Sequence, residues 1–476
     1  MNILYVASEA APFIKTGGLA DVAGALPKAL CQKGMDCRLV MPLYSQIADE
    51  YKSQMQKIGE FWIDLGWKHE YCGILTMTFN GVTTYFLQND YYFNRASLYG
   101  EGDDAERFIF FSKGATRLPK VLDFRVDILH ANDWHSALVP VFVNDYRTGD
   151  SFYRDVRTVL TIHNLKYQGQ FAPEMFYWTN LSGYYMSDYD LKFYQSLNFL
   201  KGGIVHANAV NTVSKTYAEE ISYSFFGEGL DGVVRAYASK FYGIVNGLDY
   251  DVWNPASDEF LTRTYDVDSV LLRKENKRFL QQRYGLEIRE DVPMFAMITR
   301  LTAMKGLDLL RYVLEELLQE DVQIVVLGTG EETYEEMFRY FAWKYPTKCA
   351  ARLYYSNEQS HQIYSAADFF LMPSISEPCG ISQMIAMRYG AVPLVREAGG
   401  LRDTVHPYNK YSGEGTGFSF SNINAHELLF AMKEAIRIYR EEPEALAHLQ
   451  RNAMRERFDW SLAGEEYLSM YRSVLK

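Results

Sequence analysis

Short apolar runs, each closed by a glycine or polar turn and followed by a helical pattern, recur along the whole chain. No other feature limits the fold as much. In the first half the runs are Ile3–Ala7, Arg38–Met41, Thr84–Leu87, Asp127–His130, Thr158–Ile162 and Ala209–Val213. Runs of this length suit strands buried on both faces. Helical patterns at 105–118 and 194–206 lie between them. Strands that alternate with helices specify a parallel sheet covered on both sides. The second half restarts the series with Met294–Ile298 and an amphipathic helix over Leu307–Leu318. Gln323–Leu327 follows and ends in Gly328-Thr329-Gly330, then a helix through Glu335–Phe338, then Arg352–Tyr355 and Phe369–Met372. The pattern predicts an α/β chain of two Rossmann-like domains with parallel sheets, and a cleft between them as the natural ligand site. Gly243, Asn246, Gly247, Asn254 and Pro255 mark the connector. The expected divisions are 1–245, 246–458 and a terminal helix at 459–476. An apolar stripe of Leu462, Tyr467, Leu468, Tyr471 and Leu475 runs along that helix.

At 476 residues the chain exceeds one ordinary core. Its net charge of −12 argues against a nucleic-acid partner, whose affinity would rest on basic patches. The five cysteines are odd in number and include no C-x-x-C pair. Reduced thiols in a cytoplasmic protein are therefore expected, with neither a disulfide framework nor a metal site. No signal pattern opens the chain, and every apolar run is broken well short of a membrane span, so no membrane association is expected.

Four strand–helix joints carry residues suited to an anionic sugar ligand. Lys15-Thr16-Gly17-Gly18-Leu19-Ala20-Asp21 joins paired glycines to a helix start and a mobile cation, and is not the fingerprint G-x-G-x-x-G. Arg300 and Lys305 follow a strand and could neutralise a diphosphate, Arg by a bidentate grip and Lys as a point charge. In Pro373–Gln383, Glu377 is placed to hold sugar hydroxyls, with the helix start and Ser382 open to phosphate. Glu397–Asp403 repeats the paired glycines at Gly399 and Gly400. Asp133-Trp134-His135 and Thr161-Ile162-His163-Asn164 add two histidines at strand ends. Asp103-Asp104 reads as a solvated acidic pair and Cys379 as packing.

KTGGLADV, HANDWH, TIHNLKYQG, GIVNGLD, TRLTAMKG, GTG, PSISEPCG and EAGGLRDTV occur in this order over nearly the whole chain. Together they resemble the bacterial glycogen synthases and plant starch synthases, retaining glucosyltransferases of the GT-B fold. The resemblance implies two facing Rossmann-like domains, an acceptor-side N-terminal one and a nucleotide-sugar-binding C-terminal one, with the last helix crossing back to the first. It implies transfer of glucose from ADP-glucose, UDP-glucose being the alternative, to the end of an α-1,4-glucan such as glycogen, with no metal and no cofactor. It assigns Glu377, Lys305, Arg300, His163, Asp133 and Asn246 to the reacting centre. It assigns Lys15, Gly17, Gly18, Asp21, Gly328, Thr329, Gly330, Cys379, Gly380, Ile381, Ser382, Gly399 and Gly400 to the donor. Tyr92 and Arg95 resemble a segment beside the sugar and acceptor. The chain departs from the family at Ile381-Ser382, where Leu-Thr is usual, and at Asp103-Asp104, where Asp-Asn is common. Ile385 stands where related transferases carry a second Glu. A different retaining transferase would not be expected to match KTGGLADV and EPCG together. A decayed, non-catalytic relative would have lost the charged residues. An NAD-dependent oxidoreductase would need the missing fingerprint.

Overall fold

The computed structural model describes all 476 residues. Its contacts divide into two compact units, Met1–Gly247 with Trp460–Lys476, and Leu248–Asp459.

The strands of the first unit are β1 (Asn2–Val6), β2 (Asp36–Pro42), β3 (Gln56–Leu65), β4 (Lys68–Phe79), β5 (Val82–Gln88), β6 (Ile128–Asn132), β7 (Arg157–Ile162), β8 (Gln170–Phe171), β9 (Lys192–Phe193), β10 (Ser196–Asn198), β11 (Ala209–Thr212) and β12 (Phe241–Gly243). Nine of them form one sheet in the order β12-β11-β7-β6-β1-β2-β5-β4-β3, and β8-β10-β9 make a small separate sheet. Ile3, Leu4, Val6, Leu129, Val159 and Leu160 are fully buried, as a sheet covered on both faces requires. The chain leaves β1 toward β2 on one side and β6 on the other. Ligands bind at such a switch point in open α/β sheets. The antiparallel ribbon β3–β4 extends one edge. It is absent from the sequence reading because its half-exposed strands alternate instead of forming apolar runs.

Two expected elements are corrected. The helix read over 194–206 occupies only Phe199–His206, where Asn198 Oδ1 accepts the Lys201 N–H at 2.9 Å and starts it. The segment before it is the ribbon β9–β10. In the terminal helix Trp460–Leu475, Tyr467, Leu468 and Tyr471 are buried, but Leu462 and Leu475 face water. The helix fixes the strand ends through polar contacts. Tyr471 donates to His130 Nδ1 at 2.7 Å, and His130 Nε2 donates to Thr161 Oγ1 at 2.6 Å. The Thr161 hydroxyl donates to Asn211 Oδ1 at 2.6 Å, and Asn211 Nδ2 donates to the Tyr467 hydroxyl at 3.2 Å.

The second unit holds β13 (Met294–Ile298), β14 (Gln323–Leu327), β15 (Cys349–Arg352), β16 (Phe369–Met372), β17 (Val392–Arg396) and β18 (Phe418–Phe420). The all-parallel order β15-β14-β13-β16-β17-β18 puts its switch point between β13 and β16. The strand expected at 352–355 lies earlier, and Tyr355 is exposed beyond its end. The helix Leu307–Gln319 buries Leu307, Leu310, Val313, Leu314, Leu317 and Leu318 on this sheet.

Tyr471→Phe should leave His130 Nδ1 buried without a donor. The expected loss is about 1–3 kcal/mol of stability, read as a lowered denaturation midpoint with an unchanged far-ultraviolet spectrum.

Candidate active site

In the second unit the loop after β13 carries Arg300 and Lys305, and the loop after β16 carries Ser374 and Glu377. Lys305 Nζ lies 2.6 Å from Glu377 Oε2, which also accepts the Ser374 hydroxyl at 2.9 Å. Glu377 is buried. Its Oε1 makes no hydrogen bond, which leaves one carboxylate oxygen for a ligand hydroxyl. Arg300 is exposed and pairs with no carboxylate.

Backbone crowding holds these loops. Gly306 has φ 72°, and a Cβ there would stand 1.9 Å from the Pro373 carbonyl oxygen, so only glycine fits. Ile375 N–H donates to Met304 O at 2.8 Å and joins the two loops. Arg396, at the end of β17, is buried and donates to the Ser374 and Ile375 carbonyls at 2.8 and 2.5 Å. A Cβ on Gly399 or Gly400 would come within 2.1 Å of the Glu377 or Cys379 carbonyl. The Gly400 N–H is spent on Glu377 O at 3.1 Å. These two glycines therefore seat the Glu377 loop, a correction to their reading as an open anion site. Gly380 has φ 73° against Gln383, whose amide donates to the Cys379 and Gly380 carbonyls at 3.1 and 2.9 Å. Cys379 and Ile385 are buried. Ile381 caps the helix Ser382–Arg388.

Gly328 and Gly330 touch the same machinery from β14. Added Cβ atoms would meet the Thr299 and Leu301 carbonyls at 1.8 and 2.3 Å. Between them, Thr329 and the Gly330 N–H donate to Glu335 Oε1 at 2.5 and 3.0 Å, and Arg339 holds the other oxygen at 2.7 Å. Glu335 is thus a buried support of the Gly-Thr-Gly turn. Its carboxyl is held below the usual range, chiefly by the Thr329 hydroxyl.

In the first unit the loop after β1 carries Lys15, whose Nζ makes a solvated 2.7 Å pair with Asp21. Glu9, buried just before the loop, accepts the Thr16 N–H and hydroxyl at 2.5 and 2.8 Å. Gly17 caps the helix Gly18–Gln32, and an added Cβ would meet nothing closer than 3.8 Å. Protein packing therefore does not demand glycine there. After β6, Asp133 adopts φ 51° and its Oδ1 accepts the His163 N–H at 2.7 Å. Burial raises its carboxyl to about 7 against that bond. His163 Nε2 donates to Asn132 Oδ1 at 3.0 Å, an oxygen also held by Tyr5 at 2.8 Å. Burial lowers the His163 imidazole to about 3, so it is neutral at neutral pH. His135 does not join it. That ring is buried against Trp134, Tyr99 and Phe108. Asn246 is buried with Oδ1 unpartnered.

Two further expectations change. Tyr92 is wholly buried against Phe110, and its hydroxyl is engaged by Glu106, so it cannot touch a ligand. Asp103 is bound by Arg95 at 2.7 Å, and Asp104 is buried, accepting the Gly100 N–H at 2.8 Å. Neither is a free solvated carboxylate. Sequence reading missed Glu9, Asn132, Ser374, Glu335 and Arg396. A charge closing an apolar run, as Arg396 does in Val392–Arg396, was the available signal.

Residues 2–236 match the family model "Starch synthase catalytic domain", and 279–455 match "Glycosyl transferases group 1". A glycogen synthase of Finegoldia magna is 53% identical over 477 residues, covering all of both chains. One from Clostridium novyi is 47% identical over 479 residues, covering all of this chain and 99% of the other. The catalytic domain of starch synthase IV from Arabidopsis thaliana, solved with ADP and acarbose, superposes with TM-score 0.92 at 31% identity. It covers all of this chain and 99% of the other. Sucrose-phosphate synthase from Thermosynechococcus elongatus shares the fold at TM-score 0.62 and 16% identity, over 99% of this chain and 98% of the other. The chain belongs to the glycogen and starch synthase family of glycosyltransferases, with the GT-B fold.

Two outcomes follow. Glu335→Ala should lower kcat/KM for the donor about tenfold by loosening the turn against Arg300, whereas exposed Glu336→Ala should change little. Asp133 binds its proton more tightly folded than unfolded, so its contribution to stability is full below the ordinary carboxyl pKa and is lost as pH rises toward about 7. Denaturation titrations should show wild type losing on the order of 2–4 kcal/mol across that window relative to Asp133→Asn.

Proposed function

We propose that the enzyme transfers glucose from ADP-glucose to the 4-hydroxyl at the non-reducing end of an α-1,4-glucan, with retention and without a metal ion. The observation that carries the reading is the pairing of Lys305 with the buried Glu377 at the switch point of the second unit, beside an unpaired Arg300. ADP in the starch synthase IV structure supports an adenine nucleotide donor. As the C1–O bond breaks, negative charge grows on the departing diphosphate, where Arg300 and Lys305 stabilise it. Glu377 holds glucose hydroxyls through its open Oε1. A phosphate oxygen takes the acceptor proton, so no protein base is required. Neutral His163 orients and polarises, assisted by Asp133 and Asn246. Lys15, Gly17, Gly18 and Asp21 act on the donor phosphates and sugar. Gly328, Thr329 and Gly330 support the Arg300 loop, and Cys379, Gly380, Ile381 and Ser382 continue the Glu377 loop. Arg95 acts on the acceptor side. No three His, Cys, Asp or Glu side chains converge as metal ligands.

With glycogen, ADP-glucose should yield ADP and longer α-1,4 chains, faster than UDP-glucose and undiminished in excess EDTA. Hydrolysis alone would refute the assignment, and activity restored only by magnesium or manganese would refute metal independence. Arg300→Ala and Lys305→Ala should each lower kcat by on the order of 10²–10³, more than they raise KM for the donor. Glu377→Ala should abolish transfer in a folded protein, checked by circular dichroism. A pure KM effect in both cation variants would contradict this division of roles.

A further inference from the structure

Glu377 stands in an irregular loop between β16 and the helix Ser382–Arg388. The carbonyls on both sides of it are taken by side chains that belong to other elements. Before it, the Arg396 guanidinium donates to Ser374 O and Ile375 O at 2.8 and 2.5 Å, and its third nitrogen reaches Ser421 O at 3.2 Å. After it, Gln383 Nε2 donates to Cys379 O, Gly380 O and Thr404 Oγ1 at 3.1, 2.9 and 3.0 Å. Thr404 donates in turn to Gly400 O at 2.6 Å, and the Gly400 N–H holds Glu377 O itself. Both anchors lie beyond a ligand's reach, since Arg396 is 5% exposed and Gln383 is 0% exposed.

Stability alone explains these residues poorly. A buried guanidinium is expensive to remove from water, and apolar side chains of similar volume are often as stabilising. Gln383 adds a second cost, because its Oε1 is buried with no partner and lies against Gly380, where a Cβ would stand 2.4 Å from it. What the two side chains supply is directed geometry. The planar fork of Arg396 spans two successive carbonyls and a third on another loop, which a single ammonium cannot do. The Gln383 amide aims its donor at the opposite end of the same loop. We propose that Arg396 and Gln383 are positioning residues for the transfer, a two-sided clamp on the Glu377 backbone that holds the open Oε1 where a glucose hydroxyl arrives. This role rests on the part proposed above for Glu377.

Three variants test the clamp. Arg396→Lys keeps a cation without the fork. Gln383→Glu keeps the shape but turns oxygen toward oxygen, and Gln383→Leu removes the polar group altogether. In the ligand-free enzyme, amide hydrogen exchange over residues 374–383 should be faster in all three, with an unchanged circular dichroism spectrum. With ADP-glucose and glycogen near neutral pH, kcat should fall about 10- to 100-fold, while KM for ADP-glucose should move less than about twofold. Lowering the pH protonates the introduced acid of Gln383→Glu and restores one donor. Its kcat relative to wild type should therefore recover as pH falls, and that of Gln383→Leu should not. Unchanged exchange would overturn the clamp. Wild-type kcat, a loss confined to KM, or equal pH behaviour in the two Gln383 variants would overturn the positioning role. If Arg396→Lys does not fold, the Gln383 pair decides. Exchange is read without substrate, so an inactive wild type would sink the proposed reaction while the clamp is still measured.

Discussion

The pair between Lys305 and Glu377 organises the second unit. A carboxylate removed from water at a strand end is costly unless a cation and a donor satisfy it, and Lys305 and Ser374 do so from two neighbouring loops. Both donors, Lys305 and Ser374, use the same oxygen, Oε2. The geometry thus neutralises the carboxylate and still leaves it able to accept a hydroxyl. The loops stay in register because their backbones touch. Gly306 lies on Pro373, Gly399 and Gly400 lie on the Glu377–Cys379 backbone, and Gly328 and Gly330 lie on Thr299 and Leu301. A single methyl group at any of these would push the cations or the carboxylate out of place.

The first unit uses a different device, a buried polar lattice. Asn132 is held by Tyr5 and in turn accepts a hydrogen bond from the His163 Nε2–H, so the ring's other nitrogen is a neutral acceptor. Asp133 fixes the backbone of the same residue. Behind them, His130, Thr161 and Asn211 tie three adjacent strands to two tyrosines of the terminal helix. A neutral histidine, and an aspartate whose carboxyl burial raises to about 7, suit the proposed role of orienting a sugar without adding charge to it.

The strands buried on both faces were legible because each is a compact apolar run. Met294–Ile298, Gln323–Leu327 and Phe369–Met372 coincide with β13, β14 and β16. The ribbon β3–β4 was not legible, since half of its side chains face water and its pattern resembles a loop. The charged candidates could be named because motif order pointed to them. Their supports could not, because Glu9, Glu335 and Arg396 act through hydrogen bonds to loop groups, which leave no mark in the apolar pattern. The glycines were read as ligand approaches, and most of them proved to be places where one loop lies against another. Gly17 has room for a side chain, which keeps the ligand-approach reading open for that position.

The most direct test of this account is a double-mutant cycle on Lys305 and Glu377, measured as kcat/KM for ADP-glucose with Lys305→Met, Glu377→Gln and the double variant. If the two residues act as one unit, the double variant should be about as impaired as the worse single variant, a strong departure from additivity. Losses that simply add would show that the pair is a structural contact and that the centre of the reaction lies elsewhere.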